Sequence, residues 1–189
     1  MAFKEYLIGG RKLIIFRIMM KKTLVIVVHP HLENGSVISK AWCDALEKCE
    51  NVTLHKICQV YPDGKIDVEK EQALVEAHER VIFQFPLWWY GGPAMMKTWL
   101  DVVLTEGWAF GPGGDKMERI EIGAAVSCGG SEKDFFEGGP QRHTLAHYLD
   151  VFDGIAGFTR AKYIGFHAVP ETVANLDKNI KSYIEFLEK

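Results

Sequence analysis

No CxxC pair occurs in the chain, and its four cysteines, Cys43, Cys49, Cys58 and Cys128, show no zinc-ligand spacing. Reduced thiols in a cytoplasmic setting are the expectation. Basic charge is also scarce: Lys and Arg number 22 against 25 Asp and Glu, a formal net charge of -3, with no run of like charge. Such a chain has no basic field for nucleic acid, so that class of partner is excluded. The glycine fingerprint of a Rossmann dinucleotide site is missing, as are internal repeats and low-complexity linkers. What is present is 189 residues with 48% hydrophobic content, enough for one domain with an ample core.

Residues 1 to 19 combine Lys4, Arg11, Lys12 and Arg17 with the apolar run Leu13-Ile14-Ile15-Phe16. Charge interrupts that run, no small-residue cleavage site follows it, and it is too short to span a bilayer. Met19-Met20-Lys21-Lys22 ahead of Thr23-Leu24-Val25-Ile26-Val27-Val28 reads as an ordinary protein start. Residues 1–19 are therefore expected to form an extension outside the fold, and residues 20–189 a single domain.

From Met20 onward strand and helix patterns alternate, which implies a parallel sheet with helices on both faces. Strands are expected at Leu24 to Val28, Val52 to Ile57, Val81 to Phe85, Ile120 to Ser127 and Lys162 to Phe166. Helices are expected at Ser36 to Cys49, Val68 to Ala77, about Pro93 to Leu104, Thr144 to Ile155 and Val173 to Leu187. This order fits a flavodoxin-like three-layer α/β sandwich whose five-stranded parallel sheet has order 2-1-3-4-5.

The most informative segment is Phe83-Gln84-Phe85-Pro86-Leu87-Trp88-Trp89-Tyr90-Gly91-Gly92-Pro93, where three adjacent aromatic rings follow a buried strand. Pro86 is expected to stop the strand, and Pro93 to sit at the first turn of the next helix. The rings then lie at the carboxyl end of a strand, where open α/β sheets bind ligands. As core filler they would be unusual, because the flanking prolines and glycines shape a loop.

Two further loops converge there. After strand one, His29-Pro30-His31-Leu32-Glu33-Asn34-Gly35-Ser36-Val37-Ile38-Ser39 enters a helix whose amino end offers unpaired N–H groups to an anion, with Ser36 and Ser39 as hydroxyl donors. Ser36 is equally suited to be a plain N-cap. His29 and His31 lack a third ligand at a useful spacing, and no metal is expected. After strand four, Ser127-Cys128-Gly129-Gly130 lets backbone approach a ring edge closely and leaves N–H groups free to donate.

Taken together, His29-Pro30 with Ser36, Phe85-Pro86-Leu87-Trp88-Trp89-Tyr90 with Pro93, Lys97-Thr98-Trp99-Leu100-Asp101, Gly107-Trp108-Ala109-Phe110-Gly111 and Gly129-Gly130 resemble the flavodoxin-fold, DT-diaphorase-like NAD(P)H:quinone oxidoreductases. The likeness is strongest to the bacterial FMN branch, which includes general stress proteins and ancillary subunits of glutathione-gated potassium efflux systems. It spans roughly residues 20–189. The resemblance implies FMN, with FAD as an alternative, NAD(P)H as co-substrate and a quinone acceptor. It places flavin contacts on His29, on Ser36, Val37, Ile38 and Ser39, on Pro86, Leu87, Trp88, Trp89 and Tyr90, and on Ser127, Cys128, Gly129 and Gly130. It also implies a homodimer with the site at the subunit interface. The helix bearing Met95, Met96, Trp99 and Val103 and the loop 107–111 are expected to supply the apolar dimer face.

The chain departs from its relatives in places. Gly35 is one extra residue in the phosphate loop, Ser39 stands where Asn is frequent, Cys128 where Thr is frequent, and Phe135 or Phe136 where several relatives have an active-site Tyr. His143 or Tyr90 would then supply the missing donor. The expected chemistry is two-step hydride transfer: nicotinamide reduces the flavin and leaves, and quinone takes its place. Tyr90, Gly129, Gly130, Phe135 and His143 form the expected reacting surface. Two rivals remain, a flavin-binding ancillary subunit on a membrane transporter and a one-electron flavodoxin-type carrier.

Overall fold

The computed structural model describes residues 3–8, 11–16, 21–170 and 175–189. Near the amino end, β1 (Phe3–Ile8) and β2 (Arg11–Phe16) pair antiparallel as a two-stranded sheet of their own, with Ile8 opposite Arg11. The main sheet has five parallel strands: β3 (Thr23–Val27), β4 (Val52–Lys56), β5 (Arg80–Leu87), β6 (Glu121–Cys128) and β7 (Lys162–Pro170). Their spatial order is β4-β3-β5-β6-β7, the expected 2-1-3-4-5.

Helices cover both faces because the central strands are apolar on both. On one face Leu24, Ile26, Val81, Phe83 and Phe85 pack with Val75 of α3 (Val68–Glu76), Trp99 and Val103 of α4 (Ala94–Val103), and Phe152 of α6 (Val151–Thr159). On the other, Val25, Val27, Ile82 and Ala125 pack with Ile38, Trp42 and Leu46 of α1 (Ile38–Leu46) and with Ile180, Ile184 and Leu187 of α7 (Leu176–Leu187). Alternate residues of one strand thus feed opposite cores, the period-two signature of a doubly covered sheet.

Several boundaries differ from expectation for identifiable reasons. Strand β5 runs through Pro86, which pairs with Ser127 of β6. Gln84 O accepts from Val28 N on the β3 side, and Pro86, two residues on, faces the same side where β3 has ended. No ladder donor is needed there, so the missing N–H costs nothing. The segment expected as one helix from Thr144 to Ile155 is two, α5 (Leu145–Leu149) and α6, with Asp150 between them. Ile57, expected to end strand two, instead opens a one-turn helix, α2 (Ile57–Val60). The closing helix starts at Leu176, and its expected first residues, 173 and 174, lie outside the described residues.

The expected dimer face is corrected too. Met96, Trp99, Val103 and Trp108 are buried within the single chain, and Trp108 Nε1 donates to Glu76 Oε1 at 2.7 Å. A sheet face plus α3 and α6 offers more cover than one helix on a sheet would receive. Exposed apolar groups lie instead on Val151 and Phe158, beside a mostly apolar groove of about 390 Å³ that Leu104, Phe110 and Ile155 also line. No helix of the described residues is long and apolar enough to cross a membrane.

Candidate functional site

Three loops meet at the carboxyl ends of β3, β5 and β6, and ring contacts join them. After β3 the chain turns through His29 to Gly35 into α1. His29 is buried, and its Nδ1 accepts from the His31 N–H at 3.1 Å. Burial lowers its pKa and the neighbouring His31 adds to this, so the ring is neutral with its proton on Nε2. The N-cap of α1 is Val37, with no side-chain cap bond and no acidic residue in the first turn. Ser36 therefore does not cap the helix, and no side chain takes up its first N–H groups at the positive end of the helix.

Ser39, expected as an exposed donor, is fully buried on the sheet side of α1, and its Oγ has no hydrogen-bond partner among the described residues. Beside it Gln84 Nε2 donates to Ser39 O at 3.2 Å, while Gln84 Oε1 is likewise unpartnered. A pair of unsatisfied buried acceptors and donors beneath a helix amino end is uncommon in a finished core.

The second loop is a tight reversal. Trp88 N donates to Gly91 O at 2.9 Å and Gly91 N to Trp88 O at 3.1 Å, closing a two-residue turn on Trp89 and Tyr90. Both central residues have positive φ, 52° and 63°. Such mirror-image turns favour Asn and Gly, and left-handed backbone at two aromatic residues costs on the order of 1–2 kcal/mol each. The turn leaves the rings outward: Trp89 is 96% exposed, Tyr90 45% and Trp88 41%, so they are not core filler. Trp88 meets the His29 ring edge-on at 5.7 Å, which ties this loop to the first.

The third loop follows β6. Ser127 and Cys128 are buried, and the Cys128 thiol sits 3.6 Å from Val169 O. Gly129 and Gly130 are exposed, but positive φ falls on Gly130 (86°) and not on Gly129. A Cβ at Gly129 would meet nothing within 4 Å, which leaves its approach to the crevice open. Tyr148 stacks on Tyr90 at 4.6 Å, and Tyr90 OH donates to Gln141 Oε1 at 3.0 Å, so the second and third loops are also joined.

These contacts enclose a crevice of about 280 Å³ lined by Leu87, Trp89, Tyr90, Cys128, Gly129, Phe135 and Gln141. Of the two phenylalanines, Phe135 is in its wall, whereas Phe136 is not and is 52% exposed. His143 is also outside the wall; its Nδ1 lies 2.9 Å from Glu137 Oε2. Sequence reading missed Gln141. A single polar residue in a Gly-Pro-rich loop carries no pattern, and only its bond to Tyr90 reveals it.

A family model described as the flavodoxin-like fold matches residues 21–188, and the chain belongs to that family. An uncharacterized NAD(P)H oxidoreductase, YrkL, of Bacillus subtilis is 44% identical over 79% of this chain and 82% of its own. General stress protein 14 of Bacillus subtilis is 38% identical over 87% and 97%, and the potassium-efflux ancillary protein KefG of Escherichia coli 31% over 88% and 92%. Among solved structures, general stress protein 14 of Treponema denticola in complex with FMN aligns with TM-score 0.84 and 34% identity, over 88% of this chain and 98% of that one. An NADPH-quinone reductase from P. pentosaceus aligns at 0.80 and 30%, over 88% and 97%. A chain described as a thermophilic tryptophan halogenase from Streptomycin violaceusniger aligns at 0.84 and 36%, over 88% and 98%. Names differ among relatives of similar likeness, so function has to be argued from the site.

Proposed function

We propose that the chain is an FMN-dependent NAD(P)H oxidoreductase that reduces quinones. One observation carries the reading: an uncapped helix amino end, a strained aromatic turn and a glycine pair follow three neighbouring strands at the same sheet edge, the turn and Gly129 lining one crevice and the turn touching His29 of the helix's loop, and they match in turn a phosphate, a flat ring and a ring edge. The residues fit FMN, since the open space at Gly129 admits a ring edge and the first turn of α1 opposes no acid to a phosphate. The relative solved with FMN and the relatives named NAD(P)H oxidoreductases support the same reading.

When bound, FMN supplies two-electron redox chemistry. The protein's part is positioning and charge. The N–H groups of Ile38 and Ser39 and the Ser36 hydroxyl hold the phosphate. Leu87 to Tyr90 flank the ring system, and the N–H groups of Gly129 and Gly130 hold negative charge at its edge. Gln141, oriented by Tyr90, presents its amide Nε2 to a substrate oxygen, the donor role expected of His143 or Tyr90. Trp89, Tyr90 and Phe135 give a flat aromatic acceptor its walls. A second copy of the chain covers the groove at Phe110, Val151 and Phe158, and residues 1–19 stand outside the domain.

Steady-state NADPH oxidation by the FMN-loaded protein with a soluble quinone tests the reading. Turnover without a partner reductase is expected, and its absence would leave the one-electron carrier. The likeness to KefG favours a second reading, an ancillary subunit docked on a transporter; specific co-purification with a membrane efflux protein would support it.

A further inference from the structure

We propose that Glu137, His143 and His147 form a binding site for a borderline divalent cation of the Zn2+ class on the outer wall of the crevice. Each offers one ligand atom, and these atoms all lie within 4.8 Å of one another. His143 Nδ1 is 2.9 Å from Glu137 Oε2, and the two imidazoles are stacked with centroids 4.0 Å apart and planes 16° apart.

Local structure brings the three together. Thr144 caps α5 by accepting the His147 N–H at 3.1 Å, so two histidines four residues apart straddle the first turn on one side. Gly138 N donates to Arg142 O at 2.7 Å and Arg142 N to Gly139 O at 2.9 Å, with Arg142 in left-handed backbone (φ 70°); this fold-back returns Glu137 to His143. A tetrahedral ion with bonds of about 2.0–2.1 Å spaces its ligand atoms by roughly 3.3 Å, so the widest pair need close by only about 1.5 Å. Glu137 and His147, both exposed, can make that adjustment.

The donor set chooses the ion. Two imidazoles and a carboxylate suit Zn2+, Ni2+ or Cu2+, whereas Mg2+ and Ca2+ call for oxygen ligands alone. His29 and His31, the pair nearer the phosphate loop, belong to no such threesome among the described residues. The position also gives the site a consequence. Glu137 lies between Phe135 and Gln141, both in the crevice wall, and His147 precedes Tyr148, which stacks on Tyr90. An ion held by all three residues would tie the third loop to α5 and stiffen that wall.

Isothermal titration of ZnCl2 into the full-length protein, stripped of metal by chelator and dialysed, tests the site. One ion per chain is expected, with no response to MgCl2. Affinity should fall at least about tenfold in both His147→Ala and Glu137→Gln and stay unchanged in His31→Ala. Both altered side chains are exposed, and Glu137→Gln keeps the shape of the residue, so folded protein is expected and checked by its far-ultraviolet spectrum. Absence of stoichiometric Zn2+ binding by the wild type, binding that survives His147→Ala, or binding lost in His31→Ala would overturn the proposal.

Discussion

Trp89 sits at a backbone position that favours Asn, and its side chain is almost wholly in solvent. Trp89→Asn should therefore raise the stability of the ligand-free protein, by about 0.5–1 kcal/mol in urea unfolding, while weakening whatever binds the crevice. A loss of stability would mean the turn is not strained. Ser39 gives a second test. Its hydroxyl is buried without a partner, so Ser39→Ala removes an unsatisfied group and should be neutral or stabilising by about 1 kcal/mol in the ligand-free chain. Ser36→Ala, by contrast, removes a donor to a dianion, where a bond is worth about 1.5–3 kcal/mol, and should weaken FMN at least tenfold. The identities of the residues around the crevice were legible from sequence because aromatic, Gly and Pro clusters mark ligand loops. Whether a hydroxyl faces in or out was not, since that depends on where α1 begins, and the cap at Val37 moves that start two residues beyond Ser36.

At the scale of elements, two polar groups make the sheet acid-sensitive. Arg80 and Glu121 face each other where β5 and β6 begin; Arg80 Nε and Nη2 donate to Glu121 Oε2 at 2.9 and 2.6 Å. Lys21 and Lys162 donate to Oε1 at 2.7 and 3.0 Å. Burial alone would raise the Glu121 pKa, but hydrogen bonds from Lys21, Arg80 and Lys162 outweigh it and hold it at about 2, against 4.5 in the unfolded chain. Its contribution, on the order of 3 kcal/mol, is complete above pH 4.5 and lost as pH falls through 2. On β7, burial, aided by Lys189, pushes His167 down to about 4 from 6.5. It stays neutral in the fold while the unfolded chain takes up a proton, so stability falls as pH drops from 6.5 toward 4. His167→Phe should make the upper slope in pH-dependent melts shallower, with buried His29 supplying part of what is left, and Glu121→Gln should do the same to the lower one; slopes unchanged in both would refute the assignment. The strands themselves were legible because both their faces are apolar, which needs no context. Continuation of β5 through Pro86 was not, because it depends on where the neighbouring β3 ends.

For the whole molecule, Trp108 is buried within the chain and Phe158 is exposed, so Trp108→Glu should destabilise each subunit, whereas Phe158→Glu should dissociate the proposed dimer and leave the fold intact. Sedimentation at low micromolar concentration with a parallel urea titration separates the two outcomes, and a wild-type monomer would remove the dimer from the account. A chain beginning at Met20 should fold and bind flavin as the full chain does; loss of either would bring residues 1–19 into the domain. The central claim, that the three loops bind FMN through its phosphate, is tested most directly by titrating flavin-free protein with FMN and with riboflavin and following flavin fluorescence. The account predicts one FMN per chain and at least tenfold weaker binding of riboflavin, which lacks the phosphate. Equal affinity for the two flavins, or no binding of either, would contradict it.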